Sequence, residues 1–123
     1  MSTTNEPNFD WSQAASLLGD DPTQVPDDMA DIVRELVDGA EAQFKDLKSK
    51  NAETDRPTIG SLAHQLRGCL LNFGFTEVGA TLMHVERGTY APSEYPALVE
   101  KAETAFVASK KMLGKKYPTL GFN

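Results

Sequence analysis

Apolar residues recur at steps of three and four along nearly the whole chain, and no segment alternates apolar with polar as a half-buried strand does. Met29, Ile32, Val33, Leu36, Val37, Ala40, Phe44 and Leu47 form one continuous stripe, as expected of a helix with one buried face. The pattern points to an all-α fold. At 123 residues, the chain has material for one domain with one core.

Capping and breaking residues divide the chain into helices. Residues 1–7 read as a loose tail. Asp10 is placed to cap a short helix running to about Leu18, with Gly19 as its stop. Asp20–Val25 is a connection rich in turn formers. Pro26, with Asp27 and Asp28, suits the first turn of the long striped helix. Lys45, Lys48 and Lys50 stand at its end, and Asn51–Pro57 reads as a polar loop. A third helix is expected from Thr58 to Phe73, with Ile59, Leu62, Leu66, Cys69, Leu70 and Phe73 inward and Gly74 as its cap. A fourth runs from Thr76 to Arg87, with Val78, Leu82 and Val85 inward, and Gly88 ends it. After the turn Thr89–Pro92, Ser93 caps a fifth that buries Tyr95, Leu98, Val99, Ala102, Phe106, Met112 and Leu113. Residues 117–123, with Pro118 and Gly121, read as an irregular tail. The expected architecture is an up-down-up-down four-helix bundle over residues 8–116, with a short extra N-terminal helix.

Composition removes several function classes. The net charge is −6, and a phosphate backbone repels such a surface, so nucleic acid is not an expected partner. The charge is uneven: residues 1–55 carry 13 acids and 4 bases, residues 56–123 carry 5 and 8. Solvated helix faces account for this more simply than a binding tail. The single cysteine, Cys69, excludes an internal disulfide and a cysteine-based zinc cluster. No apolar run nears the roughly 20 residues of a membrane helix. Met1 to Asn8 has neither the basic start nor the apolar stretch of a signal peptide. A cytoplasmic monomer is the expectation.

The third helix carries the chemistry. At about 100° per residue, His64 points away from the apolar stripe. Gly60, Gly68, Leu71 and Phe75 lie close to its direction, and Ser61 and Arg67 flank it. A helical glycine costs about 1 kcal/mol relative to alanine, yet one stands a turn before the histidine and one a turn after. Their effect is to clear side chains from the imidazole, so that a bulky partner gains access. Leu71 and Phe75 place apolar groups on a face that should be polar, which marks a docking surface. Taken singly, each feature has an ordinary explanation; their alignment on one stripe favours function.

Two other arrangements are weaker. His84 and His64 stand equally far from Gly74, so a hairpin could bring them level, but no further ligands complete a metal site. His64 and Cys69 project about 140° apart on a helix, too far for a nucleophilic pair.

His64-Gln65-Leu66-Arg67-Gly68, continuing through Cys69-Leu70-Leu71-Asn72-Phe73-Gly74, resembles the His-x-Leu-Lys-Gly signature of histidine-containing phosphotransfer (HPt) domains of two-component phosphorelays. Val78, Leu82, Val85 and Glu86 fall at the apolar and acidic positions of that family's next helix. The likeness spans roughly Leu17 to Leu113, mostly as helix pattern. Arg67 stands for the commoner lysine, which keeps the charge but changes the hydrogen-bond geometry. Cys69 stands for a usual serine.

The resemblance implies a phosphocarrier rather than an enzyme. Nε2 of His64 would accept a phosphoryl group from a receiver-domain phospho-aspartate and pass it to another receiver. The imidazole must be neutral to attack, as ordinary imidazole mostly is at pH 7. Arg67 would offset phosphate charge, and Gly68 would give steric access. Gly60, Ser61, Leu71 and Phe75 would meet the partner. The chain would bind no cofactor of its own, with Mg²⁺ on the receiver. A hybrid sensor kinase is a further candidate partner, and no phosphate-binding glycine loop suggests an ATP site here. The alternative is a non-catalytic helical adaptor that uses the same His64, Leu71 and Phe75 face.

Overall fold

The computed structural model describes residues 7–122. It contains α1 (Trp11–Leu18), α2 (Asp27–Ser49), α3 (Arg56–Leu71), α4 (Thr76–Arg87) and α5 (Tyr95–Lys116), with single 3₁₀ turns at Pro92–Glu94 and Pro118–Leu120. There is no strand among the described residues.

Local chemistry explains the boundaries. The Asp10 carboxylate accepts the backbone N–H groups of Ser12 and Gln13 and so caps α1, which Gly19 ends. Pro26 precedes α2 as its cap residue instead of lying inside the first turn. α3 starts two residues earlier than expected, with Pro57 in its first turn. An N–H there has no helical acceptor, so proline forfeits nothing. α4 has its expected ends, and Gly88 closes it in the left-handed region at φ 69°. Ser93 does not cap α5. It lies in the 3₁₀ turn, where the Glu94 carboxylate accepts the Ala91 N–H.

The core joins all four long helices. α3 packs on α4, α4 on α5, and α2 on both α3 and α5. Val33, Val37, Phe44 and Leu47 of α2 meet Leu66 and Leu70 of α3, Val78 and Leu82 of α4, and Val99 and Phe106 of α5 in one buried cluster. Ile32, expected inward, is 45% exposed at the edge of the α2 stripe.

The C-terminal segment is docked, not irregular. Tyr117 and Leu120 are buried. The Tyr117 hydroxyl donates to the Gly19 carbonyl at 2.9 Å, and Arg34 donates to the Thr119 and Leu120 carbonyls at 2.7 and 3.0 Å. Of the expected N-terminal tail, residues 1–6 lie outside the described residues and Pro7 is buried. No helix among the described residues is long and apolar enough to cross a membrane.

Candidate functional site

The buried stripe of α3 is Ile59, Ala63, Leu66 and Leu70. Relative to the stripe expected from the large apolar side chains, it is turned by about 40° around the helix axis. Ala63 lies in the core, whereas Cys69 is exposed and Leu62 and Phe73 are only partly buried. The reason is that alanine carries little weight in an apolar pattern, although its small side chain buries completely. The turn moves Gly60, Arg67 and Leu71 onto the flank facing α4.

Two of the expected docking residues change role. Phe75 is 0% exposed. It stacks on Phe106 at 5.6 Å between ring centres and meets Phe9 edge-on at 5.1 Å. The wheel failed there because α3 ends at Leu71, and the turn through Asn72–Gly74 redirects the chain before Phe75. Leu71 is half-buried and lies against α4, where a Cβ on Gly79 would collide with its side chain. Gly60 also belongs to this seam, since a Cβ there would meet the Glu86 carbonyl at 3.6 Å. Ser61 and Gly68 are exposed. A Cβ at Gly68 meets nothing within 4 Å. Gly39 in α2 is equally unobstructed, so the signal is the placement of Gly68 one turn from His64.

His64 is outward, its side chain 67% exposed. The same turn of α3 that carries Arg67 brings both side chains to Glu86, in the last turn of α4. His64 Nδ1 lies 2.9 Å from Glu86 Oε2, and Arg67 donates Nε–H to Glu86 Oε1 at 2.8 Å. One carboxylate therefore holds both residues. The Arg67 hydrogen bond first, and the His64 hydrogen bond second, keep the Glu86 carboxyl below the usual carboxylate range. An ionised carboxylate only accepts, so Nδ1 is the nitrogen that donates to Glu86, and Nε2 is the ring nitrogen turned away from it. Arg67 is thus engaged with Glu86 rather than free, although its terminal Nη groups bond to no described residue.

Arg56 sets the distance between the two helices at this end. It donates to the carbonyls of Ala52, Gly88 and Tyr90 at 2.7, 2.6 and 2.8 Å, and its guanidinium lies 4.3 Å from the centre of the Tyr90 ring. The start of α3 is thereby tied to the chain just beyond Glu86. Pro57, Gly60, Ser61, His64, Gln65 and Glu86 line the shallow depression beside it, about 620 Å³ in volume.

Sequence reasoning missed the part played by Glu86 and Arg56. Glu86 was visible only as an acidic position on the next helix; its contact with His64 depends on how α3 and α4 cross. Arg56 gave no signal, since its partners are backbone carbonyls. His84 is exposed on α4. Among the described residues no three His, Cys, Asp or Glu side chains converge as metal ligands.

The arrangement is an exposed imidazole held at Nδ1 by one carboxylate, with no side chain at Gly68 beside it. Comparison of the chain with protein-family models, with curated proteins and with solved structures finds no match.

Proposed function

We propose that this chain is a phosphorelay intermediate, accepting a phosphoryl group on His64 from a receiver-domain phospho-aspartate and passing it to another receiver aspartate. One observation carries the reading: Glu86 binds Nδ1 of an exposed imidazole, which leaves Nε2 as the free nucleophile beside an unobstructed Gly68. The resemblance of residues 62–74 to histidine-containing phosphotransfer domains supports it. Short connections between successive long helices support an up-down-up-down bundle.

Phosphoryl transfer depends mainly on positioning and charge neutralisation. Here Glu86 positions the ring, Gly68 leaves room for a partner, and the Arg67 guanidinium, one turn from His64, offsets the incoming charge. The receiver supplies the aspartate and Mg²⁺. The chain acts as a carrier in the cytoplasm, without ATP chemistry of its own.

The test is incubation with a phosphorylated receiver. Acid-labile label should appear on the wild-type chain and on His84→Gln, and should be absent from His64→Gln at an unchanged melting temperature. Label retained on His64→Gln would remove the assignment.

A further inference from the structure

We propose that the depression between the end of α4 and the first turns of α5 binds a small organic carboxylate, with Tyr90 and Lys101 meeting the acid group and Leu98 carrying the apolar body. The site shares no lining residue with the depression at His64 and does not depend on the phosphocarrier reading.

An orphaned hydroxyl carries the inference. The chain has three tyrosines, Tyr90, Tyr95 and Tyr117, and all are buried. Tyr95 donates to the Leu47 carbonyl at 2.6 Å and Tyr117 to the Gly19 carbonyl at 2.9 Å. The Tyr90 hydroxyl belongs to a residue only 8% exposed, yet it meets no partner among the described residues. Leaving a buried hydroxyl unpaired is costly, so such groups are rare and call for a partner from outside the chain. Tyr90 is also held in place. Arg56 donates to its carbonyl at 2.8 Å and lies 4.3 Å from its ring centre, and the Tyr95 ring stands 5.7 Å away. Swinging the hydroxyl out to solvent would break those contacts.

The surroundings of Tyr90 decide the chemistry of that partner. Tyr90 lines a depression of about 600 Å³, within the range of small-molecule sites. It is the one buried residue of the lining. Leu98 beside it is half-buried, and His84, Ser93, Glu94 and Lys101 stand exposed at the rim. Burial lifts the Tyr90 hydroxyl above its ordinary range, against the opposing pull of Arg56, so near neutral pH it is a donor. Lys101 supplies an ammonium, which only donates. Glu94 is the one carboxylate of the lining, and its Oε1 already accepts the Ala91 N–H at 2.7 Å. A fixed hydroxyl donor and a cation beside an apolar floor suit an acceptor-only anionic group on an apolar body. A carboxylate on a small ring or chain meets both demands, its oxygens accepting from Tyr90 and Lys101 while its carbon frame covers Leu98.

The experiment titrates the full ¹⁵N-labelled chain near neutral pH with benzoate and, separately, with its neutral counterpart benzamide, following the amide shifts. Benzoate should give saturable shifts centred on Thr89, Tyr90, Ala97 and Lys101, and should bind several-fold more tightly than benzamide. Tyr90→Phe removes only the hydroxyl and should weaken benzoate about tenfold, the scale of one hydrogen bond to a charged group. Lys101→Gln should weaken it a few-fold, as befits an exposed charge. Melting curves without ligand give an independent readout: Tyr90→Phe should melt no lower than wild type, because the unliganded chain loses no hydrogen bond. Benzoate binding Tyr90→Phe as tightly as wild type, or benzamide binding as tightly as benzoate, would overturn the proposal. So would shifts that do not saturate or that centre elsewhere. A marked fall in the melting temperature of Tyr90→Phe would show that solvent already satisfies the hydroxyl, and would overturn it as well.

Discussion

At Gly74 a Cβ would run into the Asp10 carbonyl and the Phe9 ring, and φ is +98°; at Gly68 a Cβ would meet nothing within 4 Å. The first glycine is demanded by the fold. Asp10 donates its N–H to the Gly74 carbonyl at 2.8 Å, so the N-terminal segment lies directly on the α3–α4 turn. The second lies in a regular helix, where alanine would be favoured by about 1 kcal/mol, and no neighbour among the described residues requires its absence of side chain. Gly68 thus differs from Gly74 in that the fold does not require it, which is the contrast the access proposal rests on.

The comparison can be broken by substitution. The largest effect is expected at Gly74→Ala, where the left-handed backbone alone costs about 1–3 kcal/mol and the collision with Asp10 adds to it. Thermal melting should fall markedly, while transfer per folded molecule stays normal. Next comes Gly68→Gln, with the opposite signature. Stability should hold or rise by up to about 1 kcal/mol, and transfer should fall roughly a hundredfold, the scale of misplacing reacting groups by about 1 Å. Were Gly68→Gln to transfer at the normal rate, the access argument would fail.

Leu71→Ala sharpens the contrast between the two ends of α3. Leu71 fills the space left by Gly79, so its truncation should cost about 1–2 kcal/mol, below the range for fully buried leucines. Receiver affinity should change little. A large affinity loss with unaltered melting would return Leu71 to the docking surface.

The smallest effect is electrostatic. The Glu86 carboxyl is lowered by Arg67 and then by His64. Its contribution to stability is complete above the ordinary carboxylate range and disappears as pH falls through the depressed folded value. The melting temperatures of wild type and Glu86→Gln should differ by a few degrees at most near neutrality, and should converge in acid. A gap that widens toward low pH would contradict the sign.

Much of the site was legible because it depends on angles within one helix. His64 and Gly68 lie outside the apolar stripe whichever way that stripe is refined by a few tens of degrees. Phe75 was misread because the same angles were carried past Leu71, where the helix ends and the turn to Gly74 begins. Cys69 was misread for a different reason: the large apolar residues outweighed Ala63, and the inferred core direction was turned away from α4.

The sequence alone determined the helical class, the caps at Asp10, Gly19 and Gly88, and the outward direction of His64 between two glycines. These follow from backbone propensity and a 3.6-residue period, which act over a few neighbouring residues. Only the tertiary structure decided that Glu86 meets Nδ1, that Arg67 is held by the same carboxylate, that Arg56 ties α3 to the end of α4, and that Tyr117 and Leu120 seal the α1–α2 end. Those contacts depend on how two helices cross and where a loop returns. That information resides in the packing of distant side chains, to which a local period is blind.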